Sequence, residues 1–154
     1  MVLISRKVDY AILALCHLMR TPGGCSAREL SAFYNLSRPF LANILKELCH
    51  HGFIESQRGF LGGYRLAKEP SAITVDNIIT ALDGPFQLMS CAREGEKCEV
   101  ADICPVKGPL RLVHDRLAAV LAQTTLEDLG RGETSLVRLP REISEDGPVP
   151  HLPG

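Results

Sequence analysis

The sequence is poor in aromatic residues. Tryptophan is absent, and Phe, Tyr and Trp together supply 5% of the 154 residues. A hydrophobic core must therefore rest on Leu, Ile, Val and Ala, and the 45% apolar content makes such a core available. Long apolar runs are also missing. None approaches the roughly 20 residues of a helix that spans a bilayer. The opening stretch MVLISRKVDY is charged and lacks the apolar centre of a secretory signal. A membrane role is not expected, and the cytoplasm is the expected location. No Ser-His-Asp arrangement, phosphate-binding loop or paired-carboxylate site stands out, so no enzymatic activity is expected. The length fits one domain, or a small domain with an appended dimerisation element.

A large net charge is lacking too, at −1 overall. The charges are segregated, however. Residues 1–70 hold nine Lys/Arg and five Asp/Glu, whereas residues 71–154 hold eight and thirteen. A basic first half suits contact with an anion such as DNA, although chance segregation on a solvated surface gives the same count.

Hydrophobic spacing predicts an amphipathic helix over 6–20 through Val8, Ala11, Ile12, Leu15, Leu18 and Met19. Pro22, Gly23 and Gly24 end it. Ser26 and Glu29 form a capping-box pattern that opens a second helix running to about Tyr34. Asn35 and Leu36 make a short turn, and Ser37 caps a third helix with Leu41, Ile44, Leu45 and Leu48 inward. Phe53–Ile54 and Tyr64–Leu66 flank a glycine-rich centre and read as a β-hairpin. Thr74 caps a further helix through Ile78 and Leu82 that ends at Gly84. After a stretch without clean periodicity, Leu110, Val113, Leu117, Val120, Leu121 and Thr124 repeat at three- and four-residue steps. This narrow stripe resembles a coiled-coil seam on a helix of about 20 residues. It predicts a homodimer, with packing back onto the same chain as the alternative. Residues 131–154 are read as a disordered tail.

Two short capped helices joined by a tight turn, followed by a hairpin, are the order of a winged helix-turn-helix. The fold class expected is mainly α with a small β-hairpin wing, plus a long C-terminal dimerisation helix. The third helix would present Ser37, Arg38, Pro39, Phe40, Asn43 and Lys46 to the major groove of double-stranded DNA. At the wing, Arg58 suits a minor groove, and Gly62 and Gly63 allow close approach of backbone to a sugar–phosphate chain. Tyr64 closes this motif. The same pattern also serves in protein-binding modules.

Six cysteines are present. Cys16, Cys25 and Cys49 are scattered through the first half. Cys16 and Cys49 read as small buried hydrophobes, and Cys25 falls in a turn open to exposure. Cys91, Cys98 and Cys104 stand together with spacings of six and five intervening residues. Thiolates suit iron–sulfur clusters, zinc or copper. Structural zinc usually takes pairs two to four residues apart. Spacing alone accounts equally well for three merely exposed thiols.

The segment SRKVDYA, the segment from Leu36 to Gly84 containing Arg58-Gly-x-x-Gly-Gly-Tyr64, and the three cysteines that follow resemble the iron–sulfur-cluster winged-helix regulator family that includes IscR and NsrR. The resemblance covers about residues 3–129. It implies a homodimeric transcription regulator controlled by an iron–sulfur cluster, of the 2Fe–2S or 4Fe–4S type, that senses nitric oxide, redox state or cluster supply. It implies metal ligation by Cys91, Cys98 and Cys104, and DNA contact by Ser37 and Arg58. The histidine that IscR-like members use three residues after the third cysteine is replaced here by Lys107. NsrR-like members use an aspartate of the other subunit near the start of the first helix, and Asp9 stands at that place. The resulting division is 1–84 winged helix-turn-helix domain, 85–108 cluster loop, 109–130 dimerisation helix and 131–154 tail. His114, beyond the loop, reads as a surface or interface residue. A zinc or thiol-redox regulator on the same scaffold, or an iron–sulfur carrier that does not bind DNA, are the alternatives.

Overall fold

A computed structural model describes residues 4–57, 62–89, 99–100 and 103–131. Among the described residues, six α-helices and one hairpin follow in the order α1 (Arg6–Arg20), α2 (Ala27–Tyr34), α3 (Arg38–His50), β1 (Ile54–Gln57), β2 (Gly63–Leu66), α4 (Val75–Asp83), α5 (Lys107–Gln123) and α6 (Leu126–Arg131), with a 3-10 turn at Pro70–Ala72 before α4. The mainly helical fold with a β-hairpin wing is as expected.

Local chemistry sets the helix boundaries. The Ser5 hydroxyl accepts from Val8 N–H at the start of α1. Ser26 and Glu29 close a reciprocal capping box on α2, and Thr74 and Asn77 do the same on α4. Each arrangement satisfies donors that the first helical turn leaves unpaired. Asn35 takes the left-handed conformation (φ 52°, ψ 45°) that turns the chain from α2 into α3. The buried Ser31 hydroxyl donates to Leu36 O at 2.6 Å and holds that turn closed.

The core is aliphatic. Val8, Leu15 and Leu18 of α1 meet Leu30, the inward stripe Leu41, Ile44, Leu45 and Leu48 of α3, and Ile78 and Leu82 of α4. At about 1.5–3 kcal/mol for each fully buried Leu or Ile, these contacts fix how α3 is presented.

The hairpin is antiparallel, pairing Ile54 with Leu66 and Gln57 with Gly63. Glu55 and Arg65 stand opposite each other and form an ion pair across it. A third extended piece, unforeseen from the sequence, joins this sheet. Cys25 N–H donates to Tyr64 O at 3.0 Å and Tyr64 N–H donates to Cys25 O at 2.9 Å. Cys25 is therefore buried, at 7% exposure, and not an exposed turn residue.

The C-terminal helix departs from expectation in two ways. It begins at Lys107, with Pro109 in the first turn, where a missing N–H leaves no bond unmade. It also ends at Gln123 instead of continuing to residue 130. The break has a physical cause. Val75 N–H donates to Thr124 O at 2.9 Å and Leu126 N–H donates to Ile73 O at 2.7 Å, so Thr124–Leu126 is held extended against the start of α4. Thr125 and Asp128 then cap α6 reciprocally, at 2.9 Å and 3.1 Å. Leu126 is fully buried in the winged-helix core, and Arg20 of α1 donates to Gly130 O at 2.8 Å. Residues 125–131 thus belong with the first domain. The expected tail, apart from Arg131, lies outside the described residues.

No described helix is long and apolar enough to cross a membrane.

Candidate nucleic-acid interface and metal centre

With Leu41, Ile44, Leu45 and Leu48 buried, the opposite face of α3 is set. Ser37, Arg38, Pro39, Phe40, Asn43 and Lys46 are all exposed, on a surface that runs from the N-terminus of the helix past its middle. Ser37 occupies the N-cap position, but its hydroxyl makes no capping bond, unlike those of Ser26 and Thr74. The hydroxyl is directed to no backbone amide of its own helix and stays available as donor and acceptor.

Two contacts from the first turns of α1 fix this helix laterally. Lys7 reaches Glu47 Oε2 at 3.3 Å and Asp83 Oδ1 at 3.6 Å, and donates to the Leu82 carbonyl at the end of α4. A cation at that carbonyl complements the negative end of the helix dipole. Tyr10 meets Phe40 edge to face, with centroids 5.7 Å apart.

The wing is only partly described. Arg58 lies outside the described residues. Gly62 and Gly63 are half-buried. Gly63 has a structural reason to be glycine: a Cβ there would sit 2.7 Å from Cys25 O and 2.8 Å from its carbonyl carbon. Tyr64 packs against the core with its backbone tied to Cys25 on both sides. These two positions anchor the root of the wing.

The cysteines divide chemically. Burial pushes the Cys16 thiol up, against a smaller opposing effect of Arg20. Cys25 is raised first by burial, then by the charge and hydrogen bond of Glu29. Cys49 is raised by burial. At all three, burial disfavours the thiolate, the form that ligates metal. Cys104 is half-buried, free of any disulfide, and lies just before α5. Cys91 and Cys98 lie outside the described residues. Among the described residues no group of three His, Cys, Asp or Glu side chains could hold a metal ion. Asp9 is exposed in the first turn of α1.

His114 is more than a surface residue. Leu88 N–H donates to its Nδ1 at 3.3 Å, and its ring stacks on Phe86 with centroids 5.5 Å apart and planes 7° from parallel. It pins the chain entering the cysteine segment to α5.

A two-helix motif with an exposed, charged N-terminal head and a hairpin behind it defines a winged helix-turn-helix protein. The chain belongs to the Rrf2 family: the family model, described as an iron-dependent transcriptional regulator, matches residues 4–144. The chain is 34% identical over 139 residues to the HTH-type transcriptional regulator NsrR of Shouchella clausii, covering 86% of this chain and 91% of that protein. Its fold is similar to that of CymR, the global cysteine regulator of Bacillus subtilis, with a TM-score of 0.74, 32% identity, and coverage of 86% and 99%. It is also similar to T. potens IscR, with a TM-score of 0.66, 28% identity, and coverage of 85% and 88%. The chain is a DNA-binding transcriptional regulator.

Proposed function

We propose that the chain is a homodimeric regulator whose hold on its operator is set by an iron–sulfur cluster on Cys91, Cys98 and Cys104, with Asp9 of the other subunit as fourth ligand. The observation that carries this reading is the division of the cysteines: burial raises the pKa values of Cys16, Cys25 and Cys49, whereas Cys91, Cys98 and Cys104 stand together in the sequence ahead of α5. The donor set fits the group, since three thiolates suit an iron–sulfur cluster. One oxygen ligand opposite three sulfurs would be its labile position. The cluster, when bound, supplies a reactive centre for nitric oxide or oxygen. The residues of this chain supply the transmission. Asp9 shares the start of α1 with Lys7 and Tyr10, and these two side chains hold α3 through Glu47 and Phe40. Movement of α1 at Asp9 therefore carries the reading head with it.

Dimerisation through α5 is supported by exposure. No residue of α5 is buried, and Leu112, Val113 and Leu117 stand 54%, 45% and 41% exposed. A long helix of this kind needs a second apolar surface. Arg58 at the wing tip and the α3 head are the proposed DNA contacts. A thiol-responsive regulator is the second reading, favoured by the similarity to CymR; the raised pKa values of Cys16, Cys25 and Cys49 weigh against those three as sensors.

Anaerobic purification tests the proposal. A coloured protein with iron and sulfide, bleached by nitric oxide, is expected. Colourless protein with stoichiometric zinc would overturn the cluster. An Asp9→Ala protein that keeps its cluster as long as the parent would overturn the assignment of the fourth ligand.

A further inference from the structure

Phe40 is an anomaly on the reading head. Its neighbours on the exposed surface are polar or charged (Ser37, Arg38, Asn43, Lys46) or, for Pro39, a first-turn residue with no N–H to satisfy. Phe40 is a large apolar side chain left 37% exposed among them. It is adjacent in sequence to the buried Leu41 and four residues before the buried Ile44, so it stands at the border of the core stripe and the outward face. Core packing alone does not require an aromatic ring at such a border.

The ring is also held in place. Tyr10 meets it edge to face at 5.7 Å, with planes 78° apart. Two turns further on, at the same edge of α3, Lys7 holds Glu47. Tyr10 therefore braces the ring, while Phe40 keeps more than a third of its surface exposed. A ring already fixed in one orientation loses little conformational entropy when it meets a ligand. Lys7 also compensates the negative charge of Glu47. This leaves the exposed face of α3 that carries Arg38 and Lys46 as the part suited to approach phosphates.

In the major groove, thymine alone among the bases presents an apolar group, its 5-methyl, and an aromatic side chain is one of the partners suited to it. We infer that Phe40, positioned by Tyr10, is a specificity-determining residue that reads the 5-methyl group of a thymine in the operator, beside polar base contacts from Ser37, Arg38 and Asn43. This deepens the proposed use of α3 as the recognition helix and rests on it.

The test separates the two ideas. Binding sites are selected from a random duplex library with the full chain. Each thymine of the selected site is then replaced singly by deoxyuridine, which removes the methyl and leaves every hydrogen-bonding group. Burial of one methyl group predicts a loss of about fourfold in affinity at the contacted thymine. In Phe40→Ala the same replacement should have no effect, while sensitivity at other positions persists. Phe40→Leu, which keeps an apolar contact, should retain part of the preference. Tyr10→Ala should reduce it without abolishing DNA binding. Indifference of the parent to every uracil replacement, or unchanged methyl sensitivity in Phe40→Ala, would overturn the inference while leaving α3 as the recognition helix. A parent that binds duplex without selecting any sequence would overturn both.

Discussion

The winged-helix domain and α5 are built on opposite terms. The first closes a core from its own residues: α1, α3 and α4 bury Leu15, Leu45 and Ile78 completely. The second, Lys107–Gln123, has no fully buried residue: Leu121 packs against the core, and Leu110, Leu112, Val113 and Leu117 stay exposed. One region closes a core on its own, and the other leaves an apolar stripe uncovered. The division between them is not the one that chain order suggests. Leu126, beyond α5, returns to the first domain and is as buried as Leu15.

Single substitutions should act on the two regions separately. The largest loss of domain stability is expected from Leu45→Ala, about 2–5 kcal/mol by denaturant unfolding, because a fully buried leucine leaves a cavity. Leu117→Glu should act on association instead. With apolar area lost from both subunits, it should weaken the dimer by about 3 kcal/mol, seen by light scattering, with the unfolding of the winged-helix domain little changed. If it unfolds that domain as severely as Leu45→Ala does, α5 belongs to the core of its own chain. Gly63→Ala is expected to cost about 1–3 kcal/mol through the clash with Cys25 O, and to loosen the wing before the helices.

The smallest effect concerns acid. Hydrogen bonds from the Ser26 hydroxyl, then the Ser26 amide, hold the Glu29 carboxyl below its ordinary value. The Thr125 hydroxyl and amide do the same for Asp128. Depressed carboxyl pKa values stabilise the fold above the ordinary carboxylate range, and that contribution is lost as pH falls through the folded values. Melting temperature should therefore fall between about pH 5 and pH 3, and less so in Thr125→Ala. Glu29 is exposed and Asp128 is only half-buried, so the shift should be small.

Much of the winged-helix domain was legible because its signals are local. The Ser26–Glu29 box, the Thr74 cap, the α3 stripe and the hairpin all appear where the sequence places them. The exposed head of α3 followed from the same periodicity. What escaped were contacts between distant segments. Nothing in the residues around Cys25 announces pairing with Tyr64, since one short extended piece has no period. The stacking of His114 on Phe86 joins positions 28 apart in sequence. The break before α6 did carry a signal: Thr125 and Asp128 have the spacing of a helix N-cap. The heptad-like stripe running into it masked that signal. Of the proposed metal ligands, Cys104 and Asp9 lie among the described residues, and Cys91 and Cys98 do not.

In the proposed function, Cys91, Cys98 and Cys104 govern the DNA-reading head. The most direct measurement is operator affinity at fixed salt, taken anaerobically on the same preparation before and after nitric oxide destroys the cluster, with Cys104→Ala alongside. A change of about tenfold or more in the parent is expected, equivalent to about 1.4 kcal/mol of coupling, and no change in Cys104→Ala. Equal affinity of the parent in both states would contradict it.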